Sequence, residues 1–347
     1  MSNQLTIVSL DQLVDKNHTY RKLLEMIDFK GLAKTLKEIK RNQETGRIGY
    51  SCEQALKMLV IQFMEDLSDR ELERYLVENN AAKLFCSFDL TDKTPDFSYF
   101  SKVRKTIGLE KTSRIYNKVN EQLKNKGLIK EVFTFIDATH LISKVNIWDD
   151  RDRAIKDGIE KYNNKTIEII ASNENKDKEG NNIITADPDS RIGCKGKHKY
   201  WHGYKRHASI DMQSRLINKI DTTPANIVDS KGIETILPTT GAIFADKGYC
   251  SNEVINLIKS KQLHECIIKK NNMKIKNNDR DKWISKMRSP YEAVFSLFSK
   301  RTRYRGLEKN KFHTILESMS YNFKRLMKIN EIDFRDFKEK QVNLVFS

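Results

Sequence analysis

EVFTFIDATH, residues 131–140, decides the fold. Val132, Phe133, Thr134, Phe135 and Ile136 are β-branched or aromatic, the run is short, and it stops at the acid Asp137. Such a run predicts a strand buried on both faces. Downstream, Ala242-Ile243-Phe244-Ala245 repeats the pattern and stops at Asp246. Between the two, residues 204–211 and 215–221 read as a hairpin around Met212-Gln213-Ser214, and 266–268 as a last short strand. Helices are predicted near 150–162, over 226–237, after the cap Ser251, and from about Pro290. The order strand, hairpin, helix, strand, helix, strand, helix predicts an α/β domain with a mixed sheet.

Upstream of Glu131 the periodicity is helical throughout. Residues 11–27 carry Leu13, Leu24 and Ile27 at near-helical spacing. Ser51 caps a segment with Ala55, Leu56, Leu59 and Met64 on one face. Ser68 and Glu71 form a capping box before Leu72, Tyr75 and Leu76. Thr94-Pro95 opens another helix, and Ile115, Val119 and Leu123 make the stripe of the next. The expected domains are therefore a helical one over 1–130 and an α/β one over 131–330, with a charged, irregular insertion at about 148–199 and a tail at 331–347.

Lys and Arg number 63 against 47 acidic residues, a net charge of +16, which favours a polyanionic partner, nucleic acid first. No apolar run exceeds four residues, so no membrane span is expected. The five cysteines are scattered and never in a C-x-x-C pair, and the N-terminus has no apolar signal region. Both features predict a cytosolic chain without disulfides.

Asp137 and Asp246 each follow a buried strand, the place where open α/β sheets hold their ligands. Glu292, in Arg288-Ser289-Pro290-Tyr291-Glu292, is the third candidate, carried by a helix. Carboxylates suit a hard cation such as Mg²⁺, and a metal pair can clamp the attacking and leaving oxygens of a phosphodiester. Taken singly, each residue also fits a turn, a cap or a first-turn acid. Two basic segments flank them. RIGCKGKHKYWHGYKRH, residues 191–207, has six Lys/Arg and no acid, and 288–311 has seven basic residues against two acids. Lys205, Arg206, Lys247, Lys300, Arg301, Arg303 and Arg305 are the expected DNA contacts.

FIDATHLISK, GYKRHASIDMQS, TPANIVDSKG, AIFADKGYC and RSPYEAVFSLFSKRTRYRGLEKN together resemble bacterial insertion-sequence transposases of the DDE class, in the branch called insertion sequence five. ALKMLVIQFMEDLSDRELERYLVENNAAKLFC resembles the N-terminal domain of that branch, so the likeness spans about 50–327. The resemblance implies a ribonuclease-H-like catalytic domain, Mg²⁺ (or Mn²⁺ in its place), and cleavage and joining at terminal inverted repeats. It identifies Asp137, Asp246 and Glu292 as catalytic triad and metal ligands, and matches Arg288 to a basic position of the final motif. Expected partners are double-stranded DNA, as repeat and target, and a second copy in a homodimer on DNA. Neither a membrane nor a nucleotide cofactor is expected, and the implied place is the bacterial cytosol and nucleoid. Two departures stand out: the motif's Tyr falls on Ser285 and its Lys on Ser299. A DNA-binding repressor and a nuclease without strand transfer are the alternative functions.

Other constellations are sparser. Cys194, His198, His202 and His207 lack the tight pairing of a structural zinc site. His140 reads as structural, and Asp211, the rival for a triad place, as a turn former.

Overall fold

Ser51 and Ser68 start helices by the same device. The Gln54 N–H donates to the Ser51 hydroxyl at 3.0 Å while the Ser51 N–H donates to the Gln54 side chain at 2.9 Å. Ser68 and Glu71 repeat the exchange at 3.3 and 2.7 Å. Each box satisfies N–H groups that a helix start leaves unpaired. Ser68→Ala should therefore cost about 1 kcal/mol of stability, read as a lower urea midpoint; an unchanged midpoint would mean the cap carries no weight.

The computed structural model describes residues 9–36, 49–144, 158–172, 187–196, 199–271, 273 and 276–329. The expected tail at 331–347 lies outside them. Contacts divide the chain into two units, one of 1–126 with 319–330, the other of 127–318 with 331–347. Residues 319–330, read from sequence as part of the second domain, thus group with the first.

The first unit holds α1 (Leu10–Leu13), α2 (Thr19–Met26), α3 (Phe29–Ala33), α4 (Cys52–Met64), α5 (Asp69–Glu78), α6 (Asn80–Phe85) and α7 (Phe97–Asn125). The helix expected over 11–27 breaks into α1 and α2, leaving Leu13 exposed and burying Leu23. Helix α4 is buried on nearly every side, and Phe29 packs edge-on against Phe85 and Phe323 at 5.3 and 5.9 Å. Arg104 grips Asp69 with two bonds of 2.7 and 2.6 Å. Helix α7 is capped by Asp96 rather than Thr94, and it kinks at Gly108, whose φ of +65° favours a residue without Cβ.

The second unit is built on one six-stranded sheet: β1 (Phe133–Ile142), β2 (Arg191–Lys195), β3 (Lys199–Asp211), β4 (Ile217–Pro224), β5 (Ala242–Ala245) and β6 (His264–Ile267). Strand β1 runs antiparallel to β3 and parallel to β5; β5 pairs parallel with β6, and β2 and β4 both pair with β3. The sheet is mixed, as expected. Helices α8 (Ile159–Ser172), α9 (Asn252–Ser260), α10 (Asn278–Ser296) and the first part of α11 (Leu307–Leu326) accompany it. One face of β1 and β5 (Ile136, Ile243, Ala245) packs with Ile233, Ile236, Tyr249, Val254 and Ile258.

Two expectations fail here. Residues 226–237 form two short 3₁₀ turns, Asp229–Lys231 and Glu234–Ile236, instead of one helix; Gly232 between them packs so closely on the His207 ring that a Cβ there would come within 2.5 Å. The last sheet-covering helix begins at Asn278, capped by Asn277, and Pro290 lies inside it rather than at its start. It ends at Ser296, so Lys300 to Arg305 do not continue it. Of the expected helix near 150–162, residues 150–157 lie outside the described set; the described helix there is α8.

Asp187 pins this unit together. Buried to 1% exposure, it accepts from the Ser143 hydroxyl after β1 (2.8 Å), the Tyr204 hydroxyl on β3 (2.6 Å) and the Gly306 N–H before α11 (3.0 Å). Asp189 accepts from the Leu307 N–H at 2.7 Å, at the start of α11. Among the described residues no helix is long and apolar enough to cross a membrane.

Candidate active site

Strand parity brings the two aspartates together. Phe135 on β1 stands beside Phe244 on β5 in the parallel register, so two residues further on Asp137 and Asp246 lie on the same face. Asp246 follows its strand as expected, whereas Asp137 sits within β1, which runs on to Ile142 paired with β3. Asp246 keeps an extended backbone, φ −81° and ψ 176°, as it caps the turn Lys247–Tyr249. Each carboxylate spends one oxygen locally: Ala138 N–H donates to Asp137 Oδ1 at 2.8 Å, and Gly248 N–H to Asp246 Oδ1 at 2.7 Å. The glycine matters, since a Cβ at 248 would meet Asp246 Oδ1 at 2.9 Å.

Helix α10 crosses that face from β6 to β1. Arg280 donates to the carbonyls of Ile267 (3.1 Å) and Glu265 (2.9 Å) on β6. Trp283 packs on Phe244 at 5.6 Å, and Tyr291 and Phe295 pack on Phe135 at 6.0 and 6.1 Å. The crossing carries Arg288 over Phe135, guanidinium carbon 5.4 Å from the ring centre. Its Nη2 lies 3.8 Å from Asp137 Oδ2 and 3.4 Å from Glu292 Oε1. Arg288 is buried, whereas the Glu292 side chain is 57% exposed, so the pair is not a simple surface salt bridge.

Burial pushes the Asp137 carboxyl up to about 6; the Ala138 N–H pulls it down, the nearby Asp246 charge adds to the rise, and Arg288 and Lys195 oppose it. The structure therefore gathers Asp137, Asp246 and Arg288 closely, with Glu292 joined to Asp137 through the guanidinium. Among the described residues no three carboxylate, imidazole or thiolate groups stand close enough to hold a metal ion as placed. The donor chemistry still suits a hard divalent cation. Asp137 and Asp246 are oxygen ligands, each with a second oxygen outside its local backbone bond.

The expected DNA contacts scatter. Arg206 is a correction: it is fully buried, its Nη2 is 2.8 Å from Glu317 Oε2, and its Nη1 donates to the Ser299 carbonyl at 2.9 Å. A guanidinium with no exposed surface cannot neutralise a phosphate. Lys205 is largely engaged by Asp229 and the Ile227 carbonyl, both at 2.8 Å. Lys247, Lys300, Arg301 and Arg305 are exposed, and Arg303 is half-buried. Ser299, where the motif's lysine was expected, belongs to the Arg206 network, donating to Glu317 Oε1 at 2.7 Å. Glu317 and Asp187 were missed from sequence; the alternation of β3, which turns Arg206 inward beside outward Lys205, was the available signal for the first.

The remaining candidates do not form a site. His202 and His207 are buried, hydrogen-bonded to Ser190 and Thr223, and each held down to about 4 by burial. Cys194 is exposed, and His198 lies outside the described residues. His140 packs on Trp201 at 5.7 Å. Asp211 accepts from the N–H groups of Gln213, Ser214, Lys130 and Glu131, the turn-forming role expected of it.

Comparison with known families places this geometry. Residues 8–106 match the family described as Transposase domain (DUF772), and residues 183–323 match the Transposase DDE domain. The second match takes in Asp246, Arg288 and Glu292 and begins after Asp137. A solved cryo-EM structure, of the piggyBac transposase synaptic complex with hairpin DNA, is similar at 10% identity over 88% of this chain and 73% of that one, with a TM-score of 0.38, too low to carry an argument. The transposase domain match over 8–106 and the transposase DDE domain match over 183–323 together support an insertion-sequence DDE transposase.

Proposed function

We propose that the protein cleaves and joins DNA at the terminal inverted repeats of an insertion sequence of the insertion-sequence-five branch, using Asp137, Asp246 and Glu292 to hold Mg²⁺. The observation that carries the reading is the emergence of two carboxylates side by side from parallel strands, under a helix that brings an arginine and a third acid to the same face. The mixed sheet, with parallel neighbours on one side of β1 and an antiparallel one on the other, supports a ribonuclease-H-like domain from about 131, ending before the residues 319–330 that group with the first unit. The helical residues before it would bind the repeats, and two copies would hold two ends in the bacterial cytosol.

A bound metal pair would supply an activated oxygen nucleophile and neutralise charge on the leaving oxygen. The chain's own residues would do the rest. Asp137 and Asp246 are each fixed by one backbone bond, from the N–H groups of Ala138 and Gly248, and each keeps a second oxygen outside it for the metal. Arg288 is one helical turn before Glu292, and its guanidinium can leave the carboxylates to grip a phosphate oxygen beside the scissile bond. Phe135 and Phe244, two residues before the carboxylates on the same face, border the site with apolar rings packed by Tyr291 and Trp283. Incubating the protein with Mg²⁺ and labelled DNA that flanks its reading frame tests this. Nicks at the repeat ends followed by joined product are expected. Binding without nicks would leave the repressor, and nicks without joining would leave the nuclease.

A further inference from the structure

Glu292 stands on the weakest part of its helix. Pro290 lies inside α10; lacking an N–H, it leaves the Lys286 carbonyl without a helical donor. The half of α10 beyond it therefore draws little support from the half anchored on β6 by Arg280. Glu292 does not fix that half itself. Its side chain is 57% exposed, and among the described residues it meets one partner, Arg288, at 3.4 Å. The hold comes from either side of it. Before it, the Tyr291 hydroxyl donates to the Met212 carbonyl. After it, just past the end of α10, Ser299 is gripped by a buried ion pair. The Ser299 N–H and hydroxyl both donate to Glu317 Oε1, at 2.6 and 2.7 Å, and its carbonyl accepts from Arg206 Nη1 at 2.9 Å. Arg206 Nη2 and Glu317 Oε2 close the loop at 2.8 Å. The grip is continuous with the site. Ala208 stands opposite Asp137, and Arg206 opposite Thr139, so alternation puts Arg206 on the sheet face of Asp137. Its guanidinium carbon lies 5.1 Å from the centre of the Phe298 ring; Phe298 packs on Phe295 at 6.2 Å, and Phe295 on Phe135 at 6.1 Å. All of these groups belong to the second unit.

We propose that Arg206 and Glu317 are positioning residues for the third acid: they latch Ser299, and through it hold the half of α10 beyond Pro290 so that Glu292 stays at the carboxylate face. A buried ion pair is a poor way to stabilise a core, because desolvation offsets most of the Coulomb gain and apolar residues of the same volume serve as well. What this pair adds is direction. A carboxylate and a planar fork fix one backbone position along three hydrogen bonds, which no apolar packing does. Arg206 and Glu317 touch neither the carboxylates nor any exposed surface that DNA could reach through Arg206, so their effect on the site is carried by Glu292 alone. The role in metal holding rests on the reading that Glu292 completes a site with Asp137 and Asp246; the mechanical hold on residues 291–299 does not.

The test uses the full chain as wild type, the Arg206→Met/Glu317→Leu double variant, Glu292→Gln, and the triple variant that combines them. The double variant leaves no uncompensated charge, so it should fold. Should it fail to, Ser299→Ala takes its place, with a smaller effect expected, since it removes one of the three bonds and no charge. Amide hydrogen exchange reads the hold directly. Residues 291–299 of the double variant should exchange ~10-fold faster or more, while 278–289 and β1 keep their wild-type rates, as in a local opening. Mg²⁺ affinity, measured by calorimetry without DNA, reads the consequence. The double variant should bind ~10-fold more weakly, the loss typical when the supports of metal ligands are removed. Glu292→Gln should lose at least as much. The triple variant should bind no more weakly than Glu292→Gln, because a hold that acts only through that carboxylate has nothing left to act on. Additive losses in the triple variant overturn the route through Glu292, and an unchanged Mg²⁺ affinity in the double variant overturns the positioning role. Exchange that quickens throughout the unit, or not at all in 291–299, overturns the latch. If wild type binds no Mg²⁺, the proposed metal site fails while the exchange pattern still decides the latch.

Discussion

Asp137→Asn should abolish DNA cleavage and at the same time make the protein harder to unfold. On the side of activity, the change removes a metal-holding charge at nearly constant size, and a loss of about 10³-fold or more is expected, at the upper end of what single electrostatic contributions supply. Asp246→Asn and Glu292→Gln should match it, with duplex binding kept in all three. On the side of stability, burial raises the folded-state pKa of Asp137 from 3.8 to about 6. A carboxyl raised in this way is stabilising while protonated, below about pH 4, and that contribution is lost as pH climbs through about 6. At pH 7–8 the ionised group therefore weighs against the fold. Its side chain is 22% exposed, so solvent trims the effect, and Asn should gain ~1–2 kcal/mol there. Urea melts in chelator at pH 4 and pH 8 check this: the variant should lead at pH 8 and lose that lead at pH 4. Adding Mg²⁺ should stabilise wild type and not the variant. A variant less stable than wild type at pH 8 would remove burial as the cause.

Arg206→Ala should unfold much of the protein's margin, by ~3–5 kcal/mol, because it strands one partner of a buried ion pair. Glu317 would lose its 2.8 Å partner, and the Ser299 carbonyl would lose a donor. Replacing Arg206 and Glu317 together with apolar residues of similar volume should cost much less, since no charge is left uncompensated. Urea denaturation of the single and double variants measures the difference. By contrast, Arg301→Ala should leave stability within about 0.5 kcal/mol, as expected of an exposed side chain. If Arg206→Ala instead kept wild-type stability and lost only DNA affinity, the residue would return to the DNA surface.

The elements that position the site were legible because their signals are local. An apolar run reaching an acid marks both β1 and β5, and the parallel register of Phe135 with Phe244 brings the two acids together, although β1 runs past its acid to Ile142. Ser51 and Ser68 declared their helices through capping boxes that need only four residues. What escaped the sequence depends on contacts between distant segments. Pro290 suggests a helix start, yet Asn277 caps the helix earlier, because its first turns anchor on β6 through Arg280. Arg206 resembles its basic neighbours in composition and differs from them only in facing inward, onto an acid 111 positions away in sequence. Residues 226–237 have helical spacing but form two 3₁₀ turns, joined at Gly232 where the chain packs on His207, a residue of β3 that no local pattern connects to them. Ser299 falls where a lysine was expected, and its role is set by Glu317, a residue no local pattern singles out.

The Ser143–Asp187 bond has a consequence for how such chains can diversify. These two residues are 44 positions apart in sequence, and one hydrogen bond of 2.8 Å joins them. Asp187 is held in turn by Tyr204 and Gly306, so both ends of the segment are moored to the framework. Closure entropy varies only with the logarithm of loop length, and halving or doubling the segment shifts it by about 0.6 kcal/mol. Changes of length within the span therefore cost the strand bearing Asp137 little in closure entropy, so long as Asn163 of α8 keeps its two bonds with Ile192 on β2, at 3.0 and 3.1 Å.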